Sequence, residues 1–197
     1  MKKLIMIALV FLTACSSTPK NKLQQLQTSL STVQMDQIIF EAYEDSINPF
    51  GGEILYSEQY ENSLQYVPVY VEQHYMDYYT ENSDPEAFLA CAMDLEKEFI
   101  VDKYNEIIEY LDTLEVERIE KPYNIPEPIA RIRISQEIEN FIYFYRTDHF
   151  MEVKDSEGNS EYYTLPESDI DYIYHYIDDF YAYGFKDRLT QCDHTLK

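Results

Sequence analysis

The sequence predicts a mainly α-helical protein: a compact bundle of five or six helices with one small β-hairpin near residues 150–165. Apolar residues recur at spacings of three and four along most of the 197 residues, which is typical of amphipathic helices. Only 4 residues are glycine, which fits a chain made mostly of helices. A hydrophobic content of 45%, with 20 tyrosines and 10 phenylalanines, can fill a core, so a folded domain is expected despite the high charge.

The first helix is predicted to begin at Leu23. Its apolar residues follow the spacing of one helix face: Leu23, Leu26, Leu30, Val33, Phe40 and Ile47. Pro49 and the glycines at 51 and 52 are expected to end it. A second helical segment spans residues 55–80, where Pro68 predicts a kink or a division into two shorter helices.

A long helix is predicted from Pro85 to about Glu117. Asp84 suits the amino-terminal cap, Pro85 suits the first helical position, and Glu86 puts an acidic side chain in the first turn. The apolar side of this helix is formed by Phe88, Ala92, Leu95, Phe99, Ile107, Leu111 and Leu114. We therefore expect one long helix across the middle of the chain.

Residues 129–145 are predicted to form another helix after a proline-rich loop at 121–128. Its apolar positions are Ile134, Ile138, Phe141 and Tyr145. Residues 150–155 and 160–165 flank a turn that contains Gly158, and this pattern predicts the hairpin.

The last helix is expected to begin after Pro166 and to end near Gly184. Its main apolar face carries Ile170, Ile173, Ile177 and Phe180. A second stripe on this helix consists of Tyr172, Tyr176 and Tyr183, with Asp179 between them. A second aromatic face indicates either burial on both sides of the helix or a protein interface.

The first fifteen residues, MKKLIMIALVFLTAC, have the features of a secretory signal. Lys2 and Lys3 give a positive start, and the apolar run at 4–12 is too short to span a bilayer. The last four residues, Leu12 to Cys15, resemble the lipobox of bacterial lipoproteins. The resemblance implies cleavage before Cys15, a lipid on its thiol, and acylation of the new amino terminus, with palmitate as the acyl chain. An ordinary signal peptide with an incidental cysteine is the alternative.

This resemblance divides the chain into a signal peptide at 1–14, a lipidated cysteine with its tether at 15–22, and a single acidic helical domain at 23–197. It also implies a location at the cell envelope, because acyl chains bind the bilayer by about 0.8 kcal/mol per buried methylene. In enteric-type bacteria an aspartate after the cysteine favours inner-membrane retention. Ser16 stands there, which implies the outer membrane with the domain facing the periplasm.

The net charge limits the classes of partner. It is −22 for the whole chain, and removal of the first fourteen residues with their two lysines takes it to −24. Nucleic-acid binding needs clustered Lys and Arg, so this composition argues against a nucleic-acid partner. Long-range attraction favours a basic protein instead. Solubility alone is the other explanation of the charge.

Two cysteines, Cys91 and Cys192, remain once Cys15 carries lipid. An exported protein reaches an oxidising compartment, where these two can form a disulfide. That bond would close a loop of about 100 residues and contribute ~4 kcal/mol by chain-entropy reasoning. A buried thiol at Cys91 with a free thiol in the tail is the alternative.

The long helix predicted from Pro85 to about Glu117 is labelled α3. Five carboxylates fall within one narrow stripe of it, which we call the α3 stripe: Glu98, Asp102, Glu106, Glu109 and Asp112. Like charges four residues apart destabilise a helix by about 0.2–0.5 kcal/mol per pair, and Lys97 and Lys103 are predicted to point away from the stripe. The stripe is interpreted either as a solvated face or as a docking surface for a basic partner. Metal binding is a third alternative that lacks convergent geometry.

No catalytic residue, cofactor or metal site is predicted. Asp171, His175 and Asp179 have a spacing that a divalent metal could use, but a hydrogen-bonded structural group is the alternative. The segment 155–159 differs from a calcium loop because Gly158 comes too early. The sequence contains no nucleophile elbow, zinc-helix motif or paired CxxC, and no motif links its histidines to a serine or cysteine.

Together these features predict a membrane-anchored periplasmic lipoprotein that binds a cationic protein. An immunity or inhibitor protein that counters a toxin fits the size, charge and anchor by analogy with that functional class. An envelope assembly, secretion or exclusion factor is the first alternative. A hydrolase of cell wall or lipid is the second, and it would need a pocket with perturbed carboxyl groups or a histidine pair.

Overall fold

The computed structural model describes residues 21–43, 52–74, 84–181 and 188–192, and a seven-stranded antiparallel sheet lies at its centre. The strands are β1 (Ile38–Ala42), β2 (Gly52–Leu55), β3 (Arg118–Ile119), β4 (Ala130–Ile134), β5 (Asn140–Tyr145), β6 (Phe150–Asp155) and β7 (Ser160–Thr164). The helices are α1 (Lys22–Leu30), α2 (Tyr56–His74), α3 (Pro85–Thr113) and α4 (Glu167–Tyr181), and residues 188–192 are also helical.

The strand order is β2-β1-β4-β5-β6-β7-β3, and all neighbouring strands are antiparallel. β4 to β7 form a continuous meander, with β1 and β2 added at one edge and β3 at the other. Side chains alternate between the two faces of a strand. Positions of one parity therefore face the helices, and we call the opposite side of the sheet the outer face.

The prediction of a mainly helical bundle with one small hairpin is wrong. Residues 129–145 contain strands β4 and β5 where a helix was expected. Burial along β4 alternates with a period of two: Ala130, Ile132 and Ile134 are buried and the arginines between them are half-buried. The helical spacing that Ile134 shares with later residues is coincidental, because the turn between the strands contains neither glycine nor proline to mark it.

The first predicted helix is also too long. α1 ends at Leu30, and Phe40 lies in β1, where it pairs with Ile132 of β4. β-Branched and aromatic residues in the segment IIFEA favour a strand over a helix. Gly52 begins β2 opposite Ala42. Ile47, the last residue of the predicted helix, lies outside the described residues.

Other local predictions are confirmed. The Asp84 carboxylate accepts hydrogen bonds from the amides of Glu86 and Ala87 at 3.1 Å each, and Pro85 is the first residue of α3. Strands β6 and β7 form the predicted hairpin, with Gly158 at a φ of +90° in its turn. Helix α2 continues through Pro68, so the predicted alternative of two shorter helices is not found.

Two hydrophobic clusters hold the helices in place. The main core joins the inner face of the sheet to all four helices, and its members include Leu26, Ile38, Phe40, Ile54, Tyr56, Ile107, Leu111, Ile132, Ile142, Phe144, Val153, Ile173 and Ile177. The small cluster lies between α2, the first half of α3 and residues 188–192; its buried members are Val67, Val71, Phe88, Ala92, Leu189 and Cys192. Because α3 contributes to both clusters, it connects them.

Candidate functional site

The α3 stripe is partly neutralised by Lys103. The ammonium of Lys103 lies 2.7 Å from Oε2 of Glu106 and 2.5 Å from Oδ2 of Asp179 on α4. The expectation that Lys103 points away from the stripe is therefore wrong. The other four members of the stripe have exposed side chains: Glu98, Asp102, Glu109 and Asp112. The structure thus brings Glu106 and Asp179 together and leaves the rest of the stripe in solvent.

Tyr176 belongs to the main core, with 1% of its surface exposed. Its hydroxyl donates to the carbonyl of Lys103 at 2.7 Å and accepts from the hydroxyl of Tyr56 at 2.6 Å. Its ring lies 5.3 Å from that of Phe40. Of the two alternatives, burial and a protein interface, the structure shows burial for Tyr176. This residue therefore offers no surface to a partner. Tyr183 lies outside the described residues.

Tyr172 packs against Tyr110 of α3, with ring centroids 4.4 Å apart. Both hydroxyls are buried, and neither has a hydrogen-bond partner within the described ranges. Burial raises the pKa of Tyr172, and the carboxylate of Glu106 raises it further. Burial also raises the pKa of Asp169 nearby. This part of the α3–α4 contact is therefore a tyrosine layer close to several carboxylates.

The outer face of the sheet has a buried ion pair. Glu41 on β1 is opposite Arg131 on β4, whose guanidinium donates to both carboxylate oxygens, with Nη2 to Oε1 at 2.6 Å. The guanidinium lies 5.8 Å from the ring centroid of Tyr143 and 5.9 Å from that of Tyr43. Burial would raise the pKa of Glu41, but hydrogen bonds from Arg131 and Tyr43 outweigh burial and leave the pKa lowered. Burial and Glu41 raise the pKa of Tyr43 to about 12.

Glu152 on β6 is buried on the same face, separated from Arg131 by Tyr143 of β5, and has hydroxyl donors in place of a cation. Its carboxylate accepts from the hydroxyls of Ser160 at 2.5 Å, Tyr145 at 3.0 Å and Tyr162 at 3.4 Å. Ser160 and Tyr162 also line a cavity of about 670 Å³ with Arg118. A serine hydroxyl held by a carboxylate can be activated as a nucleophile, but no histidine lines this cavity among the described residues. No local sequence pattern points to Glu152, because its contacts depend on strand pairing.

Two histidines line another cavity, which could not be identified from the sequence. His149 in the β5–β6 turn and His175 on α4 line a space of about 310 Å³ with Arg146 and Asp171. His149 and Asp148 both have left-handed backbone conformations, with φ of 45° and 63°. The turn lies beside α4, where the guanidinium of Arg146 is 5.7 Å from the ring centroid of Tyr174. A histidine pair is what the hydrolase alternative requires.

The small cluster is reinforced by two further bonds. A disulfide joins Cys91 of α3 to Cys192, with Cα atoms 5.9 Å apart. The guanidinium of Arg188 forms a bidentate ion pair with the buried carboxylate of Glu96, with Nε to Oε1 at 2.5 Å and Nη2 to Oε2 at 2.9 Å. The guanidinium also lies 3.7 Å from the ring centroid of Phe99. Residues 188–192 are thus fastened to α3 by covalent, ionic and apolar contacts.

An apolar groove opens beside the small cluster, between α2 and the start of α3. It has a volume of about 270 Å³ and is lined by Pro68, Val71, Glu72, Pro85, Glu86 and Leu89. The two carboxylates are exposed and come from opposite helices. The lining of this groove is mostly apolar, with a carboxylate on each side.

Charge is distributed unevenly between the two layers of the fold. Helices α2, α3 and α4 together contain sixteen Asp and Glu residues and two lysines, whereas the seven strands contain five acidic and four basic residues. The negative charge that the composition predicts therefore comes mainly from the helices. The sheet is nearly neutral.

Among residues 21–43, 52–74, 84–181 and 188–192, no group of three or more His, Cys, Asp and Glu residues could hold a metal ion, and this includes Asp171, His175 and Asp179. None of the described helices is long and apolar enough to cross a membrane. Cys15 and the rest of the lipobox-like segment lie outside the described residues. Comparison of the chain with protein-family profiles, curated proteins and solved structures gives no match.

Proposed function

We propose that this protein is a lipid-anchored binding module of the cell envelope whose acidic helical layer receives a cationic protein. The observation that carries the proposal is the charge of helices α2, α3 and α4, sixteen acidic residues against two lysines. A surface field of one sign raises the rate at which a partner of opposite sign arrives.

The exposed part of the α3 stripe supports this proposal. Glu98, Asp102, Glu109 and Asp112 have exposed side chains, and Lys103 is occupied by Glu106 and Asp179. Exposed like charges on one helix repel each other and destabilise it. A bound cationic partner would relieve that repulsion. A basic toxin, which this protein would inhibit, is the partner class that this charge and the lipobox-like segment favour.

The anchor supplies the second half of the proposal. A lipid on Cys15 would hold the acidic domain at the membrane, where acyl chains supply the affinity that an acidic surface lacks for anionic lipid. Replacing Cys15 by serine should move the protein from the membrane fraction to the soluble one. Mass spectrometry of the natural protein should show cleavage before Cys15 and added acyl mass; an intact amino terminus would contradict the anchor.

The binding half is tested with the full chain immobilised in neutral nanodiscs and exposed to an envelope extract. We expect capture of a basic protein, whose Kd, measured with the purified partner, rises at least about tenfold between ~0.05 M and ~0.3 M salt. Neutralising the four exposed stripe residues should lower the association rate several-fold. A partner bound without salt dependence, or a whole integral membrane complex in its place, would contradict the proposal and favour an assembly factor.

A further inference from the structure

We propose that the groove between α2 and α3 is the anchoring site for the cationic partner, and that it takes an apolar side chain from a basic amphipathic segment. This inference rests on the proposed function and names the chemistry of the segment that is bound. The α3 stripe then attracts the partner, and the groove holds it.

The size and lining of the groove fit one large apolar side chain. Pro68 and Val71 come from α2 and Leu89 from α3, around a volume of about 270 Å³. Protein interfaces depend on a few anchors that enter such pockets, while exposed charges at the rim contribute little to affinity. The α3 stripe consists mainly of exposed carboxylates, so it can steer a partner but contributes little to holding one tightly.

Charge complementarity identifies the occupant. Glu72 and Glu86 line the groove from opposite helices, and α2 contains three glutamates and no Lys or Arg. A segment with Lys or Arg on both sides of an apolar residue would place its cations against these carboxylates. A second copy of this chain fits poorly, because two molecules with a formal charge of −22 repel each other.

An exposed valine lies next to the groove on α2. Val69 is 47% exposed and is the helical neighbour of Glu72, three residues away. It adds apolar surface beside the carboxylate at the rim of the groove, where the apolar face of an amphipathic helix could pack.

The small cluster forms the floor of the groove and keeps it in shape. Val71 belongs to both, and Leu89 packs against the cluster. The Cys91–Cys192 disulfide and the Glu96–Arg188 pair hold residues 188–192 against the same cluster. A site held open in the free protein binds with a smaller loss of conformational entropy.

The test uses the full chain in nanodiscs of neutral phosphatidylcholine, with empty nanodiscs as the blank. The probes are a synthetic amphipathic helix of leucine and lysine, about four turns long, and an oligolysine of equal charge. Fluorescence anisotropy gives Kd for each. We expect Leu89→Glu to weaken the amphipathic probe at least about tenfold although it adds negative charge, and to leave oligolysine binding unchanged or tighter.

Asp112→Lys on the α3 stripe is the control, and it should change the Kd of the amphipathic probe by no more than about threefold. Val69→Glu, at an exposed position, replaces Leu89→Glu if hydrogen exchange shows that the latter loosens residues 188–192. Equal or tighter binding of the amphipathic probe by Leu89→Glu or Val69→Glu would overturn the groove and leave the proposed function intact. No binding of either probe by the unmodified protein at low salt would overturn both.

Sedimentation velocity tests whether a second copy of this chain occupies the groove. We expect a monomer in the lipid-free Cys15→Ser full chain at all concentrations that are tested. A dimer that Leu89→Glu dissociates would show that a second copy fills the groove and would overturn the proposal.

Discussion

The main core and the small cluster are built in different ways. The main core combines a seven-stranded sheet with four helices, and its residues Phe40, Ile107 and Ile142 are completely buried. The small cluster has six buried residues between two helices and a short carboxy-terminal segment. A disulfide and a buried ion pair are found at the small cluster.

This difference follows from how much apolar surface each region can bury. A large core gains enough from burial to offset the conformational entropy of its chain. A cluster of six residues gains much less, so covalent and ionic bonds are needed to keep residues 188–192 in place. The region with the smaller cluster is also the one that has the apolar groove. Binding surfaces of this kind belong to the less stable parts of proteins.

The largest expected effect is that of one substitution made in each cluster. Phe40 and Phe88 both have 0% exposure, one in the main core and one in the small cluster. We expect Phe40→Ala to cost about 3–5 kcal/mol of global stability and Phe88→Ala to cost less, because the small cluster can collapse around the cavity. Urea unfolding measures the first effect, and hydrogen exchange should locate the second in α2, α3 and residues 188–192. Equal global losses would show that the two clusters are one cooperative unit.

Removing the disulfide should produce the next largest effect. The bond joins residues 101 apart in sequence, and the double substitution Cys91→Ala with Cys192→Ala should cost about 2–4 kcal/mol. Amide exchange should become fast at residues 188–192 before it changes in β4 to β6. Cys15 is left in place, and the oxidised protein with reductant added serves as a second route to the same state. Unchanged exchange at 188–192 would mean that Arg188 and Leu189 suffice to hold the segment.

Much of the helical part of the fold could be predicted from the sequence. Asp84, Pro85 and Glu86 mark the start of α3 by local chemistry alone. The β6–β7 hairpin was equally visible, because Gly158 marks its turn. Strands β4 and β5 were missed although Ile132 and Ile134 alternate with arginines, because the seven-residue spacing from Ile134 to Phe141 also fits a helix and no glycine or proline separates the strands.

The site was only partly predictable for the same reason. The α3 stripe is a property of one helix, so its spacing could be found from sequence. Its partial neutralisation depends on Lys103 reaching Asp179 on α4, a contact between residues 76 apart. The Glu41–Arg131 pair likewise depends on the register of β1 against β4. Contacts between distant elements have no local sequence signal.

A smaller effect compares the two buried ion pairs. Arg188 pairs with Glu96 at the small cluster, and Arg131 pairs with Glu41 on the sheet. Replacing either arginine by methionine leaves a buried carboxylate without its cation, at a cost of about 2–3 kcal/mol, reduced because each guanidinium is partly exposed. We expect Arg131→Met to lower the global stability and Arg188→Met to loosen residues 188–192 only. Thermal unfolding and hydrogen exchange measure the two effects separately.

The smallest effect is a dependence on pH of the stability cost of Arg131→Met at the sheet pair. The pKa of Glu41 is lowered from 4.5 in the folded protein, so this pair contributes stability above pH 4.5 that is lost as the pH falls through the folded pKa. In Arg131→Met the burial of Glu41 remains while its cation is gone, which raises the folded pKa above the unfolded value. The cost of Arg131→Met should therefore shrink as the pH falls from 7 towards 4. Urea midpoints of the two proteins at several pH values measure this cost. The control adds Glu41→Gln to the Arg131→Met variant. A cost independent of pH would show that Glu41 is not the titrating group.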